Sequence, residues 1–256
     1  IWFRPYGHFE KDNYQDGPNA DTQLYGFLVG FDSPLKELKN EFLGTLSGYV
    51  GYNGLHQKYS NVSNYQNGGM VGITGALYKG GFFSGLTANI NLGMNSTSTN
   101  RGSSDNNFIM STGIASKTGY NWELARGKFI IQPNFLVSYT LVNAFDPKDP
   151  STGLKIKTDP LQAVQLAPGF KLIGNLPHGW QPYLTFNFRW NLGDKAKYKA
   201  EQIALPETYT RPYIEYGAGL QKRWGDRFTG YGQVLARHIG RNGVGLNLGL
   251  RWSVGK

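Results

Sequence analysis

Four histidines, seventeen carboxylates and no cysteine are what this 256-residue sequence offers for chemistry. The missing cysteine removes thiol nucleophiles, disulfides and thiolate metal sites. A histidine-based hydrolase would have to use an outer rim, with His56 or His238 beside Asp16, Asp21 or Ser60. His8 falls in the first strand and His178 in a turn. Neither a G-x-S-x-G elbow nor an H-E-x-x-H pair supports such a site, so the solvated histidine is preferred and no catalytic residue is assigned. The Asn-rich stretch 94–107 has Asp105 as its one carboxylate, so neither a metal nor a cofactor is expected. Gly217 and Gly219 form a G-x-G inside an alternating stretch with no helix after it, which excludes a phosphate cradle. Glu10 and Glu215 remain. Two facing carboxylates could do acid–base work, but balance by Arg4, Arg189 or Arg237 is the preferred reading.

The elements that must hold these side chains are strands. Leu184, Phe186, Phe188, Trp190 and Leu192 alternate with Tyr183, Thr185, Asn187, Arg189 and Asn191. Val244, Leu246, Leu248, Leu250 and Trp252 alternate with Gly245, Asn247, Gly249 and Arg251. That period of two is a strand signal, and no stretch has a convincing 3.6-residue period. The template predicts about twelve strands near 1–12, 21–33, 40–54, 66–79, 81–95, 106–120, 127–143, 159–174, 179–193, 208–223, 226–239 and 242–254. Connectors after odd strands are long and polar (13–20, 55–65, 96–105, 144–158, 194–207), apart from a short last one at Gly240-Arg241. Those after even strands are shorter. Leu35 to Phe42 reads as a turn segment.

Charged residues make up only 17%, against about 25% in ordinary soluble domains. No apolar run reaches the roughly 18 residues of a membrane helix, and mean hydropathy is −0.42. A membrane barrel fits both facts, because its strands carry only alternating hydrophobicity. A soluble β-sandwich would also alternate. Against it stand strand length, a non-apolar face of Gly, Thr, Asn and Gln, and aromatics near strand ends: Trp2, Tyr52, Tyr78, Tyr120, Tyr139, Trp180, Trp190, Trp224 and Trp252. The net charge of +9 is scattered, so no nucleic-acid partner is expected.

The fold class expected is therefore all-β: one transmembrane antiparallel up-and-down barrel over 1–256, integral to a Gram-negative outer membrane and in contact with its lipid bilayer. Long connectors lie outside, and both chain ends lie on the periplasmic side. Twelve strands give a lumen wide enough for one helix or extended segment. Arg4, His8, Glu10, Lys117, Lys171, Arg189, Glu215, Arg237 and Arg251 are the charged or titratable candidates to line it. A small-solute channel or porin is the alternative that such a lumen leaves open. Ile1-Trp2-Phe3 already reads as strand, so no secretion signal is expected within the chain.

The opening Trp2-Phe3-Arg4-Pro5-Tyr6-Gly7 and the later Tyr25-Gly26-Phe27-Leu28-Val29-Gly30-Phe31-Asp32 resemble the start of an autotransporter β-domain, the translocator of type V secretion. Ser116-Lys117-Thr118-Gly119-Tyr120, Gln132-Pro133-Asn134, Pro168-Gly169-Phe170 and Gly179-Trp180-Gln181-Pro182-Tyr183 follow in that family's order. Arg211-Pro212-Tyr213-Ile214-Glu215-Tyr216-Gly217 and Trp224-Gly225-Asp226 complete the series, in wording closest to vacuolating-cytotoxin-type autotransporters. The resemblance implies a barrel that anchors and exports its own N-terminal passenger. A linker helix is expected in the lumen, and it falls outside this chain. It also implies insertion by the outer-membrane barrel assembly machinery, and a monomer is expected. Family barrels commonly finish on an aromatic residue read by that machinery. Trp252 is the candidate, with Ser253-Val254-Gly255-Lys256 trailing.

Overall fold

The computed structural model describes residues 1–15, 18–145, 157–193, 198–200, 203–204 and 209–253. Twelve long strands form one sheet: β1 (Trp2–Asp12), β2 (Ala20–Asp32), β3 (Leu43–Tyr59), β4 (Val62–Lys79), β5 (Phe82–Thr99), β6 (Gly102–Tyr120), β7 (Phe129–Phe145), β8 (Leu161–Gly174), β9 (Trp180–Leu192), β10 (Tyr213–Trp224), β11 (Phe228–Ile239) and β12 (Arg241–Trp252). Each pairs antiparallel with its sequence neighbours, and β1 pairs with β12, so the sheet closes on itself. Closure removes the unpaired edges that a bilayer could not satisfy.

Most large apolar side chains of the strands point outward because that face meets lipid. Leu46, Ile73, Leu86, Leu184, Val234 and Val244 are each more than half exposed, and the described residues hold few buried hydrophobics. A soluble sandwich would bury them. Tyr120, Trp180, Trp224, Phe228 and Trp252 are exposed near the short-turn end, as an interfacial girdle requires; Tyr78 instead shares the inner face with Thr74 and Ala76. On β3, Tyr52 stands nine residues beyond Leu43, the partner of Tyr78. At a barrel tilt that is about 23 Å of axial rise, close to the height of an apolar outer-membrane band. Trp2 departs from the girdle expectation: its indole Nε1 donates to Asp32 Oδ1 at 3.0 Å, on the inner face.

The registers fix the stagger of the barrel. Trp2 faces Gly30, Gly30 faces Tyr49, and the row continues through Gly72, Asn89, Gly113, Thr140 and Ala163. Carried on at the registers of β9 to β12, the row re-enters β1 at position 16, fourteen residues above its start at position 2. Strands about 4.8 Å apart and rising about 3.3 Å per residue then tilt by roughly 39° around a backbone radius of roughly 12 Å. An α-helix with its side chains is about 10–12 Å across. One fits where the wall side chains are small.

Two connectors differ from expectation. Positions 55–65 and 96–105 are not open loops: β3–β4 and β5–β6 run on as hairpins that turn at Ser60-Asn61 and Asn100-Arg101. Their outward residues there include His56, Lys58, Ser63, Ser96 and Ser98, polar because they stand above the lipid. At the other end, Gly80 and Gly225 adopt positive φ (55° and 57°) in tight turns, a conformation glycine takes without strain. The segment after β2 holds a short paired stretch, Lys36–Glu37, and a single turn of 3₁₀ helix, Lys39–Glu41. The outer connectors 144–158 and 194–207 lie largely outside the described residues.

Candidate functional site in the lumen

One wall of the lumen carries a continuous chain of charge. Glu215 on β10 accepts from Arg189 (Nη2, 2.8 Å) on β9 and from Arg237 (Nε, 2.8 Å) on β11. Arg237 Nη1 reaches over β12 to Glu10 Oε2 on β1, also at 2.8 Å. Arg241 continues the chain to Glu10 and to Asp12, each at 3.4 Å, and Thr22 donates to Asp12 at 2.7 Å. Gly243 allows the crossing, since a Cβ there would fall 2.6 Å from the Cβ of Glu10. Side chains of Glu10 and Glu215 are only 3% exposed, so their charge rests on these arginines. The facing glutamates are thus not a free carboxylate pair: Arg237 stands between them.

Near the periplasmic end the partners change. Asp32 gathers Trp2, the Ser47 hydroxyl (2.6 Å) and Arg251 (3.0 Å). Arg4 makes no ion pair among the described residues; its guanidinium stacks between Trp2 and Tyr231, 5.5 and 5.8 Å from the ring centres. These groups line a polar cavity of about 830 Å³. The opposite wall, β3 to β6, is neutral: Asn53, Asn89, Asn91 and Ser111 alternate there with Gly68, Gly72, Gly93 and Gly113. Such a surface offers hydrogen bonds and space, with Tyr49, Leu55, Met70 and Ile109 as its scattered apolar members. Beyond these, Lys117 at the short-turn end of β6 and Lys171 on β8 point inward, and neither forms an ion pair among the described residues.

Of the lumen candidates, the structure brings Glu10, Arg189, Glu215 and Arg237 into one lattice and leaves Arg4, Lys117 and Lys171 outside it. Arg251 joins Asp32 instead. His8 is buried against Gly245, where a Cβ would lie 2.5 Å from Nδ1. Sequence reasoning missed Asp12, Asp32 and Arg241; their places on the charged face of their strands, in step with Glu10, Gly30 and Gly243, were the available signal. The histidines considered for catalysis lie on the outer face. His56 stacks on Tyr65 with centroids 4.0 Å apart, and His238 bonds the Tyr216 hydroxyl at 2.8 Å. Asp16 lies outside the described residues. Trp252 is exposed beside the closing seam, where its carbonyl accepts from the amino group of Ile1 at 2.8 Å. Val254 to Lys256 lie outside the described residues.

The sequence model of the family described as autotransporter beta-domain matches residues 1–235. The chain belongs to that family. This autotransporter β-domain is an integral outer-membrane translocator of Gram-negative bacteria, and its relatives among solved structures have the same fold. The β-domain of BrkA from Bordetella superposes with a TM-score of 0.81 at 17% identity, over 99% of this chain and 98% of that one. The transport unit of AIDA-I from Escherichia coli gives 0.78 at 14%, over 99% and 90%. The translocator domain of NalP from Neisseria meningitidis gives 0.70 at 12%, over 99% and 89%. Outer-membrane channels match less well. No curated protein matches the sequence.

Proposed function

We propose that the lumen is the route by which this translocator exports its own N-terminal passenger and the seat of a linker helix afterwards. Supporting this is the bore set by twelve strands and a stagger of fourteen, which accommodates one polypeptide segment and little more. The neutral wall of Asn and Gly lets a chain slide. The charged wall, with Arg4, His8, Glu10, Lys117, Lys171, Arg189, Glu215, Arg237 and Arg251 at or beside it, holds what stays behind. Work of this kind is spatial, and no catalytic residue is assigned. Trp252 is proposed as the residue read by the barrel assembly machinery, supported by its exposure at the membrane-facing seam. A monomer is the expected form, because the closed sheet has no edge to share. The wording of the second-half motifs supports placement with the vacuolating-cytotoxin-type barrels.

The test is export in cells expressing the full gene. Protease added to intact cells should remove the upstream polypeptide while the barrel survives; a gene without such a polypeptide would end the reading. A small-solute channel instead predicts large, steady conductance from the full-length product.

A further inference from the structure

The inner charges do not cancel, and the imbalance has an address. Every inner carboxylate among the described residues already has cationic partners: Glu215 with Arg189 and Arg237, Glu10 with Arg237 and Arg241, Asp12 with Arg241, Asp32 with Arg251. Among the described residues, Lys117 and Lys171 form no ion pair. Lys171 rests its ammonium 3.8 Å from the centre of the Tyr183 ring, which stabilises a cation without neutralising it. Lys117 overhangs a cavity of about 340 Å³ lined by Gly85, Ala76, Ala115, Thr74, Thr87 and Leu136. The wall beside it is small: Lys117 pairs across the sheet with Gly85, and its neighbour in the next row, Leu136, faces Ala167. Lys171 lies further toward the short-turn end of β8, opposite Gln132 and Thr185. Both therefore sit in the periplasmic half of the lumen. Lys117 is exposed to the lumen and Lys171 half-buried.

Resting on the translocator reading above, we propose that Lys117 and Lys171 form a binding site for carboxylate side chains of the polypeptide segment that occupies the lumen. That segment is acidic where it passes the periplasmic half and neutral or basic-tolerant where it passes the Arg–Glu lattice. The lattice is already satisfied and offers no net charge to a visitor, and the Arg4 guanidinium is held between Trp2 and Tyr231, so discrimination lies with the two lysines. A lumen segment of the opposite charge pattern would place cations against cations at low dielectric and be rejected.

The full-length gene product, with its own upstream segment, is reconstituted in planar bilayers and its residual conductance recorded. The Lys117→Met, Lys171→Met double variant should spend about fivefold more time conducting, as loss of two solvent-accessible ion pairs implies. Lys117→Arg with Lys171→Arg should stay closed. Heat-modifiable migration on gels reports whether each barrel has folded. Should the methionine variant fail to fold, a second measurement uses the unsubstituted 256-residue barrel. A glutamate-bearing helical peptide added on the periplasmic side should block it, and the same peptide with lysine in place of glutamate should not. A folded methionine variant as tightly closed as its parent, or equal block by both peptides, overturns the inference. Passenger arriving at the surface of cells that express the same methionine variant would leave the translocator reading intact.

Discussion

Arg237 carries more of the lumen's order than any other single side chain described. It bridges Glu10 and Glu215, 227 and 22 residues away in sequence, while 13% exposed. Arg237→Met keeps the bulk and removes the charge, so both carboxylates lose a partner; each keeps only a second cation, Arg241 at 3.4 Å or Arg189 at 2.8 Å. An exposed pair is worth at most about 1 kcal/mol, whereas breaking a buried one costs about 3–5 kcal/mol. The lumen lies between these limits, and a loss of about 2 kcal/mol is expected. It would be read as a lower temperature for the folded-to-unfolded shift in gel migration. Glu10→Gln, which keeps a hydrogen-bond acceptor for Arg237, should cost less; an equal cost would mean that packing, not charge, holds the lattice.

At the scale of elements, the seam between β1 and β12 is where the barrel must close last, because its two strands lie at opposite ends of the chain. Glycine makes the fit. A Cβ at Gly243 would lie 2.2 Å from the Phe9 carbonyl oxygen, whereas one at Gly7 would meet nothing within 4 Å. Gly243→Val should therefore destabilise the closed barrel by about 1–3 kcal/mol or more, and Gly7→Val should be nearly silent. Denaturant titration of the two variants checks this, and equal effects would remove the seam argument. The strands themselves were legible from period two, and so was the inner face: Lys171, Arg189 and Glu215 stand where alternation puts them. Strand ends were not. Above the membrane both faces of β3 to β6 become polar, as with His56 outside and Gln57 inside, and a strand polar on both faces reads as a loop. That arginines such as Arg189 and Arg237 balance Glu10 and Glu215 was legible, but which arginine meets which was not. Arg237 meets Glu10 only because β12 is glycine at the crossing, a coincidence of register across three strands that no local pattern reports. Trp2 was misplaced for a related reason: aromatic residues near a strand end suit the girdle and the lumen alike.

For the molecule as a whole, the dimensions follow from strand number and stagger, and the chemistry of the bore follows from which residues alternate inward. A wall rich in Asn, Ser and Gly opposite a self-neutralised ionic lattice, with Arg4, Lys117 and Lys171 unpaired among the described residues, suits the passage of one polypeptide better than selection among small solutes. The central claim is that the upstream polypeptide travels and then rests inside this barrel. Site-specific photocrosslinking during export in living cells tests it most directly. A crosslinker at the inward positions Asn89 or Asn247 should capture the upstream segment, and one at the adjacent outward positions Ala88 or Leu246 should not. Capture from outward positions alone, or from none, would contradict the account.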